Sequence, residues 1–360
     1  MAEQKIRVGI IGANVSNGWG PRAHLPAILA LPEFELTAVC TSRPETAAAS
    51  KEKFGARMAF HDYHEMVEHP DIDVVSVVIR VPFHYEMTMA ALNAGKHVFT
   101  EWPLGANLAE AEEMAELARA KGVRTLAGMQ RRCSPLYLRL KELIEEGYIG
   151  EVVSCHLSQM GTGGSTRTSD RTWMRDVTKG ANTMTISFGH VIDALSMCVG
   201  ELTDISAVVS TQVSSWFESD TNRNVDVTSP DNILVSGRLA NGAVVSAHVG
   251  SQPAHGSGQR VEIYGREGTL VVEGSDSRLL GAKTGDSALQ EMPIPERLTW
   301  VPDSVPQGPP FNVAQMYRRC GEAIRSGQRA EPDFDTAVVR HRLLDAIQRA
   351  SDQGVNSRLD

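Results

Sequence analysis

Ile6-Arg7-Val8-Gly9-Ile10-Ile11 runs straight into Gly12-Ala13-Asn14-Val15-Ser16-Asn17-Gly18-Trp19-Gly20, and a helical pattern begins at about Ala23. The almost unbroken apolar run reads as a strand buried on both faces of a parallel sheet. Strand, glycine-rich turn and helix in that order offer backbone amides and a helix N-terminus to a pyrophosphate. Glycine is needed where a side chain would block the phosphate or where φ is positive. Gly12 takes the first position of the G-x-G-x-x-G pattern, and Asn14 stands at the second. Asparagine tolerates the left-handed region better than other non-glycine residues, so the departure is mild. Gly12, Asn14 and Val15 are therefore the expected phosphate-facing residues. An ordinary tight strand-to-helix turn would look the same locally, so the flanking pattern has to decide.

That pattern repeats the unit. Apolar runs at Phe34–Cys40, Val74–Ile79, Lys96–Thr100 and Val123–Ala127 alternate with helical stretches near 45–54, 86–94 and 108–121. Alternation of this kind predicts a doubly wound parallel sheet over residues 1–127, with ligands beyond the C-terminal ends of the strands. Gly12, Ser42, Arg80, Glu101 and Gly128-Met129-Gln130 fall on that edge. After Phe34–Cys40 comes Thr41-Ser42-Arg43, where an NAD site would carry an acidic residue for the ribose hydroxyls. Two hydroxyls and a guanidinium suit a 2′-phosphate, so NADP(H) is expected ahead of NAD(H). Thr41 and Ser42 can equally cap the helix that starts near Pro44.

The period changes after residue 128. A polar loop at 161–176 carries Trp173 and Arg175, and a helix at about 182–199 places His190 and Asp193 one turn apart. Beyond it strands dominate, with Asn241-Gly242 as a hairpin signal. Residues 128–360 are expected to form an α+β second domain with one large, mainly antiparallel sheet. Too few helices follow to cover both its faces, so a homodimer or homotetramer is expected.

Composition narrows the function classes. The chain has 360 residues, too many for one typical core, and its net charge of −9 with no basic stripe argues against nucleic acid. No apolar run approaches a membrane span, and Met-Ala-Glu-Gln-Lys at the start is no signal region. The five cysteines lack zinc or disulfide spacing, which points to a reduced cytoplasm and no metal. His61, His64 and His69 sit in a polar segment and read as solvated surface.

The set VGIIG, ALNAGKHVFTEWPL (91–104), ELIEEGYIGEV (142–152), FGHVID (188–193) and VEIYGREGTL (261–270) resembles the Gfo/Idh/MocA family nearly end to end. The resemblance implies a nicotinamide cofactor, with Arg80, His84, Glu101, Trp102 and Gln130 beside it. It also implies a sugar, cyclitol or related hydroxyl or carbonyl substrate over the second-domain sheet. The family's usual Glu-Lys-Pro is Glu101-Trp102-Pro103 here, and the aspartate usually four residues before the histidine is Ile186. These departures resemble a branch that includes a galactose-regulon repressor. Of the family's Lys, Asp and His set, His190 alone remains as a general acid/base, an imidazole with a pKa near working pH. Trp102, Trp173, Arg175 and Asp193 are the expected substrate neighbours. Two classes stand: an NADP(H)-dependent oxidoreductase, or a dinucleotide-binding sensor without turnover.

Overall fold

In the first sheet every strand is short, apolar and joined to the next by a helix, so each must pair in parallel. The computed structural model describes residues 4–16, 18–252, 254–274 and 276–359, with no account of the Gln252 side chain. Asn17 of the glycine-rich loop lies outside the described residues. The strands are β1 (Ile6–Ile11), β2 (Phe34–Cys40), β3 (Met58–Phe60), β4 (Val74–Val77), β5 (His97–Thr100) and β6 (Thr125–Ala127), and their order is β3-β2-β1-β4-β5-β6, all parallel. The order runs outward from β1 in both directions, so the switch point lies between β1 and β4. Between the strands lie α1 (Leu25–Ala30), α2 (Pro44–Phe54), α3 (Tyr63–Glu68), α4 (His84–Asn93) and α5 (Leu108–Lys121).

The chain divides into two compact units, Met1–Ser134 with Thr299–Val339, and Pro135–Leu298 with Arg340–Asp360. The sequence reading put the boundary at 127/128 and gave everything after it to the second domain. Thr299–Val339 instead returns to the first unit. The reason is a second apolar stripe: on a helix at Pro309–Ser326, Val313, Ala314, Met316, Tyr317 and Cys320 are fully buried among Ile6, Val8, Phe34 and Phe99. Amphipathic periodicity shows that such a helix needs a core, but not which one.

The second unit holds α6 (Pro135–Glu145), β7 (Val152–Thr162), β8 (Thr166–Arg167), α7 (Gly189–Val199), β9 (Leu202–Ser210), β10 (Ser215–Glu218), β11 (Arg223–Asp226), β12 (Asn232–Leu239), β13 (Val244–Gln252), β14 (Gly258–Gly265), β15 (Gly268–Glu273), β16 (Arg278–Lys283) and β17 (Gln290–Glu291). The helix of the first unit at Pro309–Ser326 is α8, the last helix is α9 (Phe334–Gln353), and β18 is Ser357–Arg358. Nine strands form one sheet, ordered β17-β16-β15-β14-β7-β13-β12-β9-β18. It is mainly antiparallel as expected, with one parallel pair, β7 and β13. Period-two alternation along β12 buries Ile233 and Val235 on one face and exposes Leu234 and Ser236 on the other. A small sheet, β11-β10-β8, stands apart from the large one. Among the described residues no helix is long and apolar enough to cross a membrane. Nor does any group of three or more His, Cys, Asp or Glu there have the arrangement to hold a metal.

Candidate functional site

Gly12 follows β1 with φ at +99°, and a Cβ added there would sit 1.9 Å from the Val78 carbonyl oxygen. Only glycine can occupy it. Gly20 has the same constraint from the other side, since its Cβ would lie 2.5 Å from Gly12 O. The two glycines let the turn and the following helical segment pack onto the strand ends. Asn14 does not take the left-handed conformation expected of it: among the described residues Asn222 and Asp276 alone among non-glycines have positive φ. Its side chain folds back instead, Oδ1 accepting from Ser16 N at 3.0 Å and Ser16 Oγ at 2.8 Å. An Asx turn of this kind holds a loop without αL geometry. The amides of Asn14 and Val15 donate to no acceptor among the described residues. Val15 O is held by Lys53 Nζ at 2.8 Å, and Ala13 O accepts from the buried Ser50 hydroxyl at 2.5 Å. A glycine turn with unspent amides fits a pyrophosphate.

At the end of β2 the three candidates divide. Thr41 is buried, and its hydroxyl is spent locally, 2.6 Å from Thr46 Oγ1 and 3.2 Å from the Arg43 carbonyl oxygen. Ser42 and Arg43 are exposed, and Arg43 stands at the N-cap of α2 without capping it through its side chain. A hydroxyl and a guanidinium thus remain for a ligand at this corner.

Further along the edge, Glu101 follows β5 and is buried within a connected set of side chains. Its Oε1 accepts from His24 Nε2 at 2.7 Å, and both its oxygens accept from Gln130 Nε2 at 3.2 and 2.9 Å. A carboxylate only accepts, so His24 Nε2 carries the proton and, in the neutral ring, Nδ1 accepts from the Tyr317 hydroxyl at 2.8 Å. Tyr317 in turn lies 2.8 Å from Ser76 Oγ. His24, Tyr317 and Ser76 are fully buried, and burial holds the Tyr317 phenol well above its usual range. Gly128 makes room for Glu101: a Cβ there would be 2.6 Å from Glu101 Oε2. The sequence reading found Glu101 and Gln130 but missed His24, Tyr317 and Ser76. Their only sequence signal was polarity inside apolar runs, and Tyr317 is 293 residues from His24.

Trp102 is buried beside this set, and Arg80 is exposed at the turn after β4. His84 is buried with Nδ1 2.8 Å from Pro103 O and Nε2 3.1 Å from Ile79 O, and burial pushes its pKa below the ordinary value. Both carbonyls only accept, so the neutral ring donates to one of them and turns its other nitrogen's lone pair toward the second. Tyr85 donates to Glu113 Oε2 at 2.5 Å.

In the second unit, Asn182 caps the helix that carries His190. Its Oδ1 accepts from Met184 N and Thr185 N, and Thr185 Oγ1 accepts from Asn182 N, a reciprocal capping box. The first turn, Thr183–Phe188, is a π-helix that leads into α7. His190 is half-buried, one turn beyond Ile186. Asp193 is buried, and its Oδ1 accepts from Arg340 Nε at 3.3 Å. Arg340 is fully buried on α9 and also reaches Glu201 at 2.8 and 3.1 Å. Arg175 is exposed and donates to Asp226 O at 2.9 Å, and Trp173 is half-buried on the same short 3-10 segment.

A cavity of ≈ 180 Å³ lies against the first turn of this helix. Ile186 and Ser187 line it, with Met174, Trp216, Arg167 and Asp231 among its other walls. The family's aspartate position is therefore an apolar piece of cavity wall here. Sequence reasoning picked Trp173 and Arg175 from the loop, whereas Met174 between them, with Arg167 and Trp216, faces the cavity. Neighbours in a 3-10 segment point to different sides, and sequence alone does not say which side is lined.

The model of the oxidoreductase family with an NAD-binding Rossmann fold, Gfo/Idh/MocA, matches residues 6–129, and that of the Gal80p C-terminal domain matches residues 135–274. The chain is 29% identical to the dehydrogenase aclE of Aspergillus oryzae, over 98% of this chain and 97% of that one. It is 32% identical to the galactose/lactose metabolism regulatory protein GAL80 of Saccharomyces cerevisiae, over 75% of this chain and 67% of the other. Among solved structures, a super-repressor mutant of Gal80p from Saccharomyces cerevisiae superimposes with a TM-score of 0.87 at 26% identity, over 98% of this chain and 97% of that one.

Proposed function

Because the chain belongs to the Gfo/Idh/MocA oxidoreductase family, with a C-terminal domain of the Gal80p type, we propose that it is an NADP(H)-dependent oxidoreductase acting on a hydroxyl or carbonyl group of a carbohydrate, cyclitol or related small molecule. When bound, the nicotinamide supplies or accepts the hydride. Gly12, Asn14 and Val15 would hold its pyrophosphate. Ser42 and Arg43, with Thr41 shaping the corner, would meet a 2′-phosphate. Glu101, fixed by His24 and Gln130, would set the nicotinamide half together with Trp102, Arg80 and His84.

The observation that carries the reading is the half-buried His190, one turn beyond the cavity-lining Ile186. Imidazole gives or takes a proton near neutral pH, and neither Ile186 nor Trp102 can share that task. Asp193 serves as a positioning residue that holds α7 through Arg340, while Trp173 and Arg175 close the loop over the substrate. The full-length match to a dehydrogenase supports an enzyme. A second reading, a dinucleotide-binding sensor without turnover, is favoured by the Gal80p-type C-terminal domain and by isoleucine at the aspartate position.

The remaining features go with either reading. The ligand is a small molecule, with no nucleic acid or membrane involved. All five cysteines are free and buried, consistent with a cytoplasmic location. Val208 and Leu234, paired across β9 and β12, and Val244 on β13 are exposed, which suits a homodimer or homotetramer through that face.

The test is a cofactor titration followed by a substrate screen at the reduced-nicotinamide absorbance. His190→Ala should lower kcat about 10²–10⁴-fold with cofactor affinity unchanged. Full turnover in that variant overturns the role of His190, and an inert wild type across sugars, cyclitols and aryl carbonyls favours the sensor. Arg43→Ala should weaken NADP(H) about tenfold and leave NAD(H) unchanged, whereas equal wild-type affinity for both cofactors removes the NADP(H) assignment.

A further inference from the structure

Arg167 ends the two-residue strand β8, opposite Glu218 of β10 in register, and its guanidinium carbon lies 3.7 Å from the centre of the Trp216 ring. A cation stacked on indole is held in place on one side. Along its edges the guanidinium is poorly served. Its Nε is buried and meets no hydrogen-bond partner, and Nη2 makes one long bond, 3.4 Å to Gly163 O. Among the described residues no carboxylate pairs with it. Glu218, the nearest in register, is taken by Arg223 Nε at 2.5 Å and by the Thr172 and Thr221 hydroxyls, and these donors hold its pKa down to about 2. The other ionisable group on the cavity wall, Asp231, accepts from Gln212 N at 2.9 Å, Val213 N at 2.7 Å and Asn232 Nδ2 at 2.9 Å. Its charge is absorbed by the turn it builds. Burial and the neighbouring Arg171 lower the Arg167 pKa, as expected for a cation lacking a counter-charge.

We propose that the cavity beside the helix of His190 takes a small organic ligand bearing one carboxylate, with Arg167 as its counter-charge. One guanidinium matches one negative charge, so a monoanion fits better than a doubly charged phosphate. The rest of the wall is largely apolar, with Met174, Ile186, Val213 and Trp216, and so suits the carbon skeleton of an organic acid rather than a bare ion. This narrows the substrate class to acids such as aldonates and uronates, and it rests on reading the cavity as the substrate pocket of the proposed enzyme.

The experiment is calorimetric titration of the full chain, with and without NADPH, against D-gluconate, D-glucuronate, D-glucose, inorganic phosphate and sulfate. The acids should bind at least about tenfold tighter than glucose, more weakly as salt rises, and lose about tenfold or more in Arg167→Met. Arg167→Lys, which keeps the charge but not the planar fork, should recover part of that loss. Arg171→Ala removes an exposed arginine of the same loop, and acid binding there as weak as in Arg167→Met would remove the assignment to Arg167. Phosphate or sulfate binding as tightly as the acids overturns the choice of carboxylate. Equal binding of acids and glucose, no binding of any acid, or acid binding unchanged in Arg167→Met overturns the proposal. Arg167-dependent acid binding without turnover of any acid keeps this site and discards the enzyme. Turnover of neutral sugars with an unaltered KM in Arg167→Met does the reverse.

Discussion

The polar set around Glu101 in the first unit and the cavity around Arg167 in the second are built on opposite terms. In the first, Gln130, Glu101, His24, Tyr317 and Ser76 form a chain in which each group answers the next, and three members are fully buried. In the second, a half-buried guanidinium stacks on Trp216 and has no carboxylate among the described residues. The difference separates two uses of buried polarity. A closed network fixes geometry, and breaking it costs stability. An unanswered cation adds little to the fold and keeps its interaction energy for a ligand. The second unit also contains a closed case, Arg340 with Asp193 and Glu201, so the contrast belongs to the sites rather than to the units.

The largest expected effect comes from opening that closed case. Asp193→Ala leaves the fully buried Arg340 with the half-exposed Glu201 as its one carboxylate among the described residues, and should cost about 3–5 kcal/mol in denaturant unfolding. A loss below about 1 kcal/mol would show that Glu201 suffices to hold Arg340. His341 follows on α9, where burial pushes its pKa down to about 4 from 6.5. Between those values the unfolded chain holds more protons than the folded one, so stability falls as pH drops through that window. The contribution is complete above the unfolded value, and about 3 kcal/mol is lost by the folded one. His341→Gln should flatten the profile relative to the parent over that range, and parallel profiles would refute the assignment.

Smaller again is Tyr317→Phe, which removes the partner of both His24 Nδ1 and Ser76 Oγ and should cost about 1–3 kcal/mol by thermal unfolding. The smallest effect sharpens the contrast most. Arg167→Met gives up one long hydrogen bond and a stacked cation, so its stability should stay within about 1 kcal/mol of the parent while acid binding falls. A large loss of stability there would mean that Arg167 belongs with the closed networks.

The glycine-rich turn was legible because its requirement is local. Gly12 at φ +99° is dictated by the strand-to-helix turn itself, and the edge residues Ser42, Glu101 and Gln130 follow from counting strands. Asn14 shows the limit: its residue type allowed a left-handed conformation, and the loop used it as an Asx turn instead. Arg167, Met174 and Trp216 were illegible because the cavity sets a strand end and the 3-10 segment after it against a hairpin strand from much later in the chain.

By itself the sequence determined the alternation of strands and helices, the parallel sheet, the switch to a mainly antiparallel one, and the positions that follow the C-terminal ends of the parallel strands. Each of these depends on periodicity and turn chemistry within about twenty residues. Tertiary structure alone decided that α8 returns to the first core, that His24 and Tyr317 anchor Glu101, that Asp193 is answered by Arg340, and that Arg167 meets no carboxylate among the described residues. Those outcomes depend on which distant groups share a buried space, because burial makes an unmatched polar group costly and so decides which side chains must meet.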